Sequence, residues 1–171
     1  TGISTRGYDS EYKIDNLLIE NLIKNINSRG HYIGLHPSYY SYKKPYMIKK
    51  EAMILKSTCN KLKINQPRWG GRMHYLRWHF PLTARGWELS GLDYDSTLSF
   101  AEMPGFRSGN CFEYQMYDPI EGRVLKIRQK PLIIMEVSIF NKKYLDLDCE
   151  ESIIKFITPL KDRVKALDGE F

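Results

Sequence analysis

The sequence predicts an α/β fold with a largely parallel sheet, in one domain that covers residues 1–171. Segments with apolar residues at helical spacing alternate with short apolar segments that end in polar residues, and this alternation is typical of parallel strands joined by helices. A chain of 171 residues also suits a single domain with a sizeable core. The predicted helices cover residues 12–27, 48–62, 81–89 and 150–167. The predicted strands cover residues 31–36, 70–78 and 131–140, and residues 94–100 are predicted to form a strand and loop.

Each predicted helix rests on apolar spacing and on a signal at or near its end. The first is predicted from six apolar residues, which are Ile14, Leu17, Leu18, Leu22, Ile23 and Ile26. It ends at the Ser-Arg-Gly sequence of residues 28–30. The predicted core-facing residues of the second are Ala52, Met53, Leu55 and Cys59. The third is followed by Gly91, and the fourth contains Pro159, which predicts a kink.

The strands are predicted from short apolar segments bounded by turn residues. Residues 31–36 follow the first helix directly, and residues 132–135 form an apolar run before Glu136. Residues 101–118 contain Pro104, two glycines and four aromatic residues, which predicts a long irregular loop. A loop of that length inside a compact domain is usually functional or a lid.

Composition and charge exclude several classes of protein. A hydrophobic share of 42% with 13% aromatic residues indicates a folded globule, and no apolar run is long enough to cross a membrane. The net charge of +6 comes largely from lysines spread along one solvated helix without a nucleic-acid motif, so nucleic acid is not a predicted partner. The charge equally permits anionic glycans or lipid headgroups. The three cysteines have neither zinc nor disulfide spacing, which indicates buried thiols and a cytoplasmic location.

Residues 30–39 are the most informative segment, because they place a histidine where a strand ends. Strand alternation puts His36 on the same face as Gly34, whose missing side chain leaves space beside the imidazole. Pro37 then ends the strand. The carboxyl ends of parallel strands hold ligands and metals in α/β folds. His36 is therefore a candidate ligand, although a lone histidine at a strand end is more often structural.

Residues 70–81 form a second cluster, in which Arg72, His74 and Arg77 lie within six residues after two glycines. On a strand the side chains of Arg72 and His74 point the same way, so an arginine and an imidazole can converge on one ligand. The alternative is a surface strand with solvated side chains.

Three further segments carry polar candidates. Asp95 begins a short strand, and Phe106 and Arg107 lie between two glycines of the long loop, which suits sugar hydroxyls or a carboxylate. The alternative is an Asx-turn with a packed arginine. Glu136 follows the last apolar run and is either an acid/base or a structural partner for an arginine. No phosphate-binding glycine loop, zinc-protease helix or nucleophile elbow occurs.

Five segments in correct order resemble the polysaccharide deacetylase superfamily, and more closely its bacterial branch among surface-polysaccharide biosynthesis proteins. Residues 30–39 resemble Gly-His-Glu-Ile-Gly-Leu-His-Pro-Ser-Tyr, and residues 70–77 resemble Gly-x-Arg-x-His-Tyr-Leu-Arg. Residues 94–100 resemble Tyr-Asp-Ser-Thr-Leu-Gly-Phe, and residues 104–109 resemble Pro-Gly-Phe-Arg-x-Gly. Residues 131–137 resemble Pro-Leu-x-x-Met-Asp-Val. The departures from these patterns are Tyr32 for Glu, Ser99 for Gly and Glu136 for Asp.

This resemblance implies a partial or distorted (β/α) barrel and metal-dependent removal of an N- or O-acyl group from a sugar. In the superfamily one aspartate and two histidines hold a divalent metal, commonly zinc, while a second aspartate is the general base and another histidine the general acid. His36 matches the first metal-binding histidine. The second falls on Tyr40, which is not an ordinary metal ligand, so we expect His74 to replace it. Arg72 matches the arginine that orients the catalytic aspartate.

The predicted roles follow from the residues and the resemblance together. The predicted metal ligands are His36 and His74, and the predicted catalytic residues are Arg72, His74 and Glu136. The predicted carbohydrate-binding residues are Tyr39, Tyr40, Arg77, Asp95, Phe106 and Arg107. We expect the side chains of His36 and His74 to meet at the carboxyl end of the sheet. We also expect Arg72 to pair with a carboxylate, either Asp95 or Glu136.

Two motif strands of the family are missing from this chain. Relatives begin with an aspartate-rich strand, whereas residues 1–7 contain no aspartate, and they end with a histidine-bearing strand that would begin about where this chain stops. We therefore expect a domain that is incomplete at both ends, with little turnover alone and with exposed sheet edges that favour self-association. The alternative is a non-catalytic carbohydrate-binding or assembly module with a degenerate active site, which Tyr40 and the tyrosine-rich loop favour.

Overall fold

The computed structural model describes residues 7–171, which form two compact units. The first unit comprises the residues up to Ser96 together with Gln115–Arg128, and the second comprises Thr97–Tyr114 and Gln129–Phe171. The predicted domain also includes residues 1–6, which lie outside the described part of the chain. Within the described residues, no helix combines the length and the apolar character needed to cross a bilayer.

The described residues confirm the α/β class. The helices are α1 (Leu17–Ser28), α2 (Pro45–Lys61), α3 (Leu82–Leu89), α4 (Glu136–Phe140) and α5 (Glu150–Ala166). The strands are β1 (Gly70–Gly71), β2 (Tyr94–Asp95), β3 (Tyr114–Asp118) and β4 (Arg123–Gln129), and two 3₁₀ turns cover Ser41–Lys43 and His74–Leu76. The strand order in the sheet is β1-β2-β4-β3, and β1 and β2 are parallel.

Close packing of α2 against α3 forms the core of the first unit. A Cβ atom on Gly86 would lie 2.6 Å from Cδ1 of Ile48 and 3.0 Å from Cα of Pro45, so the two helices approach at backbone distance. Ile48 and Trp87 are completely buried there. This contact fixes α2 behind the loop that follows His36.

The second unit has a smaller core. Cys111, Ile133 and Val164 are buried together, and the partly buried side chains of Phe106 and Ile134 pack against them. Three free cysteines were predicted to be buried, and Cys59 and Cys111 are, whereas Cys149 is exposed at the start of α5.

The four predicted helices lie close to their predicted positions, as α1, α2, α3 and α5. Helix α1 begins later than predicted, because Asn16 caps it by accepting a hydrogen bond from the Leu18 N–H at 2.9 Å. The burial prediction for Met53 is wrong, since 61% of its surface is exposed.

The strand predictions were less accurate. The strand predicted over residues 31–36 is reduced to a single parallel bridge between Leu35 and Gly71, and residues 70–78 keep only the two residues of β1. The strand predicted over residues 131–140 is wrong, because its second half is the helix α4. The loop predicted over residues 101–118 contains β3 at its end. A short apolar run can be buried as a strand or as a helix, so the spacing of its apolar residues alone does not distinguish the two conformations.

Candidate functional site

A parallel backbone contact brings His36 and His74 together at the carboxyl end of the sheet. Leu35 N–H donates to the Gly70 carbonyl at 2.8 Å, and Arg72 N–H donates to the Leu35 carbonyl at 2.9 Å. A Cβ atom on Gly71 would lie 1.9 Å from the Leu35 oxygen, so this approach requires glycine. His36 follows Leu35 directly, and His74 follows after two further residues in the 3₁₀ turn. The predicted meeting of the two histidines is confirmed.

The hydrogen bonds of the two rings define their tautomers. Nδ1 of His36 lies 2.9 Å from the Arg72 carbonyl oxygen, and Nε2 of His74 lies 2.7 Å from the Tyr8 carbonyl oxygen. Because a carbonyl oxygen only accepts, each of these nitrogens carries the proton. The other two nitrogens, Nε2 of His36 and Nδ1 of His74, lie 2.7 Å apart. In the neutral rings both present lone pairs to each other.

Facing lone pairs at that distance require a positive charge between them, either a shared proton or a metal cation. Burial of the ring, followed by the effect of the adjacent His74, lowers the pKa of His36 below 6.5, which favours the neutral, ligating form at pH 7. Two nitrogen ligands of a tetrahedral zinc, each about 2.1 Å from it, lie roughly 3.4 Å apart. The pair therefore fits a metal in ligand type and tautomer after a small opening of the rings.

The described residues provide two ligands for such a metal and no more. Across residues 7–171, no group of three His, Cys, Asp or Glu side chains is arranged to hold a metal ion. Oδ1 of Asp9 lies 3.8 Å from Nε2 of His74, which is the nitrogen that points away from His36. Asp9 thus neighbours the outer side of the pair, where carboxylates commonly orient a ligating histidine.

Tyr8 and Asp9 hold this side of the site, and sequence reasoning missed both. The Tyr8 carbonyl accepts from His74, its ring stacks on Tyr39 at a centroid distance of 4.2 Å, and Tyr39 N–H donates to Oδ1 of Asp9 at 2.9 Å. The available signal was an aspartate, Asp9, in the segment before the first helix. A backbone carbonyl has no sequence signature at all.

Strained backbone follows His74 directly. Tyr75 and Leu76 have φ angles of 54° and 51°, which non-glycine residues rarely adopt. The ring of Tyr75 lies 4.7 Å from the His74 ring and 5.4 Å from the Tyr39 ring, yet 66% of its surface is exposed. This conformation presents an aromatic ring to solvent beside the histidine pair. It also corrects the prediction that Arg72 and His74 lie on one face of a strand.

Hydrogen bonds to Glu51 hold the loop that follows His36. This carboxylate is 1% exposed on α2, and it accepts hydrogen bonds from Ser38 N–H at 2.8 Å and from the Ser38 hydroxyl. The Ser38 carbonyl in turn accepts from the Ser41 hydroxyl at 2.6 Å. These bonds hold the backbone two residues beyond His36.

Arg72 donates a hydrogen bond to Ser96, the residue that follows β2. Its Nε donates to the carbonyl and hydroxyl oxygens of Ser96, at 3.0 and 3.3 Å, and Asp95 is fully buried at the end of β2. Ser96 accepts only from the Nε donor, and an ion pair of Arg72 with Asp95 stays a prediction. Glu136 belongs to the second unit, and a pairing with it stays a prediction.

The remaining predicted residues divide between the two units. In the first, Arg77 lies against the Tyr39 ring, and the Tyr40 ring is exposed beside it. In the second, Phe106 packs against the core, Nη1 of Arg107 donates to the Ser99 carbonyl at 2.6 Å, and Glu136 is exposed at the start of α4.

No protein-family model matches the chain, and neither a curated protein nor a solved structure matches it.

Proposed function

We propose that this chain is a polysaccharide deacetylase-like domain whose His36 and His74 hold a divalent metal, zinc being the first candidate. The observation that carries the proposal is the pair of lone-pair nitrogens 2.7 Å apart, each fixed by a carbonyl on the far side of its ring. Five sequence segments that resemble the superfamily support it. The parallel strands beneath the pair would then belong to a distorted (β/α) barrel.

The proposed reaction is hydrolysis of an N- or O-acyl group on a sugar of a bacterial surface polysaccharide in the cytoplasm. The metal would polarise the acyl carbonyl and the attacking water. His36 and His74 would hold it, Arg72 would keep the His36 ring oriented through its carbonyl, and Tyr39 and Tyr40 would contact the sugar. Glu136 stays the proposed proton-transfer group. Self-association through an open sheet edge is part of the same proposal.

The test is acetate release from acetylated amino-sugar oligosaccharides by the full product of the gene, with zinc supplied. We expect release that falls at least about a hundredfold in the His36→Ala and His74→Ala variants, with His79→Ala unchanged. We expect little release by the 171-residue chain alone, because two histidines fill half of a tetrahedral site. Zinc-independent release at equal rates in all variants would contradict the proposal.

The second candidate is a non-catalytic carbohydrate-binding or assembly module. It is favoured by the two-ligand site within the described residues and by the exposed rings of Tyr40 and Tyr75. Oligosaccharide binding without acetate release, by every form of the protein, would support this candidate instead.

A further inference from the structure

Arg77 is positioned by aromatic rings. Its guanidinium carbon lies 3.8 Å from the centroid of the Tyr39 ring and 4.0 Å from that of the Tyr42 ring. Nη1 also donates to the Tyr39 carbonyl at 3.2 Å. Contact with two rings fixes the plane of the guanidinium, so the donors that remain of its five N–H groups point in a set direction.

No carboxylate neutralises this guanidinium within residues 7–171. Other arginines of the same unit are neutralised: Arg85 pairs with Asp118 at 2.5 Å, and Arg123 pairs with Glu88 at 2.7 Å. Nη1 of Arg77 donates to a neutral carbonyl instead. The guanidinium of Arg77 is thus held in place, and its positive charge is not neutralised by a carboxylate of the described residues.

A second cation, the ammonium group of Lys43, lies beside the Tyr42 ring. Nζ of Lys43 is 5.5 Å from the centroid of Tyr42, and Lys43 is exposed. These two positive charges repel each other, and an anion close to both would offset the repulsion. The Tyr39 ring connects this positive surface to the histidine pair, because its centroid also lies 6.3 Å from that of His74.

We propose that Arg77 binds an oxyanion, a carboxylate or a phosphate, carried by a negatively charged glycan. This inference rests on the proposed function, since it names the charge class of the sugar that reaches the histidine pair. A planar guanidinium matches two oxygens of either group. The exposed rings of Tyr40 and Tyr75 supply apolar faces for the sugar itself.

The experiment measures binding of three probes to the metal-free chain by calorimetry, at 50 and 200 mM salt. Tetragalacturonic acid carries carboxylates, N-acetylglucosamine 1-phosphate carries a phosphate, and chitotetraose is neutral. The variants are Arg77→Gln, Arg77→Lys and a matched charge control, Lys50→Gln, on the exposed face of α2. Thermal unfolding of each variant checks that it is folded.

We expect at least one anionic probe to bind at least tenfold more tightly than chitotetraose, with an affinity that falls as salt rises. Arg77→Gln should abolish that preference, Arg77→Lys should weaken it, and Lys50→Gln should leave it intact. The probe that binds identifies the source of the oxyanion. Equal binding of all three probes by the unaltered chain would overturn the inference even if every Arg77 variant failed to fold.

This outcome is separable from that of the proposed function. An unaltered chain that binds zinc but shows no preference for the anionic probes would contradict the inference alone. An intact preference in a protein that binds no zinc and releases no acetate would contradict the proposed function alone.

Discussion

Nε2 of His36 faces Nδ1 of His74 across 2.7 Å, while the other nitrogen of each ring donates a hydrogen bond to a backbone carbonyl. The Arg72 carbonyl thereby orients one imidazole and the Tyr8 carbonyl the other. Since neither acceptor is a side chain, substitution of a neighbour changes this arrangement only by moving the backbone. Substitutions of residues that hold this backbone in position are therefore expected to disturb the histidine pair.

Glu51 is the first of these supports. Glu51→Ala removes the acceptor of two buried donors on Ser38, and we expect the free energy of unfolding to fall by about 2–4 kcal/mol. Glu51→Gln retains one acceptor oxygen and should lose less. Urea unfolding measures both, with exposed Glu102→Ala as the control, expected to stay within about 0.5 kcal/mol. An equally small effect of Glu51→Ala would show that Ser38 does not depend on the carboxylate.

Gly71 is the second support. In Gly71→Ala the added methyl would lie 1.9 Å from the Leu35 oxygen, and backbone cannot move aside without breaking the bridge beneath His36. We expect a loss of roughly 2–4 kcal/mol in unfolding free energy, together with the loss of metal binding.

Gly105→Ala is the matched control, because its added methyl would meet the Phe100 ring at an ordinary 3.5 Å. That variant should unfold within about 1 kcal/mol of the unaltered chain. A Gly71→Ala variant that behaves like this control would show that a methyl group fits between residue 71 and the Leu35 carbonyl.

Asp118 makes the stability of the first unit depend on pH in the acid range. The hydrogen bond from Arg85, helped by backbone N–H groups, lowers the pKa of Asp118 from 3.8 to about 2. A depressed pKa in the folded state contributes stability above the unfolded value, and this contribution is lost as pH falls from about 4 to about 2.

Denaturant unfolding from pH 7 to pH 2 measures this dependence. We expect the decline between pH 4 and pH 2 to be shallower in Asp118→Asn and in Arg85→Gln than in the unaltered chain. Unchanged slopes in both variants would mean that another carboxylate sets the acid limit.

Sequence reasoning reached part of this account, for physical reasons. Helices such as α2 were predictable, because amphipathic periodicity persists over many residues. Strands of two residues, such as β1, leave too little sequence for a period of two to appear. The histidine pair was predictable because parallel strands bring their carboxyl ends together.

The supports of that pair were not predictable from the sequence. Asp9 contacts Tyr39 across 30 positions of the chain, and Tyr8 contacts His74 across 66. Nothing local marks either contact, because the second acceptor is a main-chain atom. The contact of Arg72 with the hydroxyl and carbonyl of Ser96 was likewise not predicted, because these acceptors lie 24 positions away in the chain.

The most direct test of the account is a calorimetric titration of the purified chain with zinc chloride at pH 7. We expect one zinc ion per chain, with an affinity that falls at least tenfold in His36→Ala and in His74→Ala. His31→Ala and His79→Ala, both at exposed positions, should bind as the unaltered chain does. Zinc binding that survives unchanged in both His36→Ala and His74→Ala would contradict the central claim.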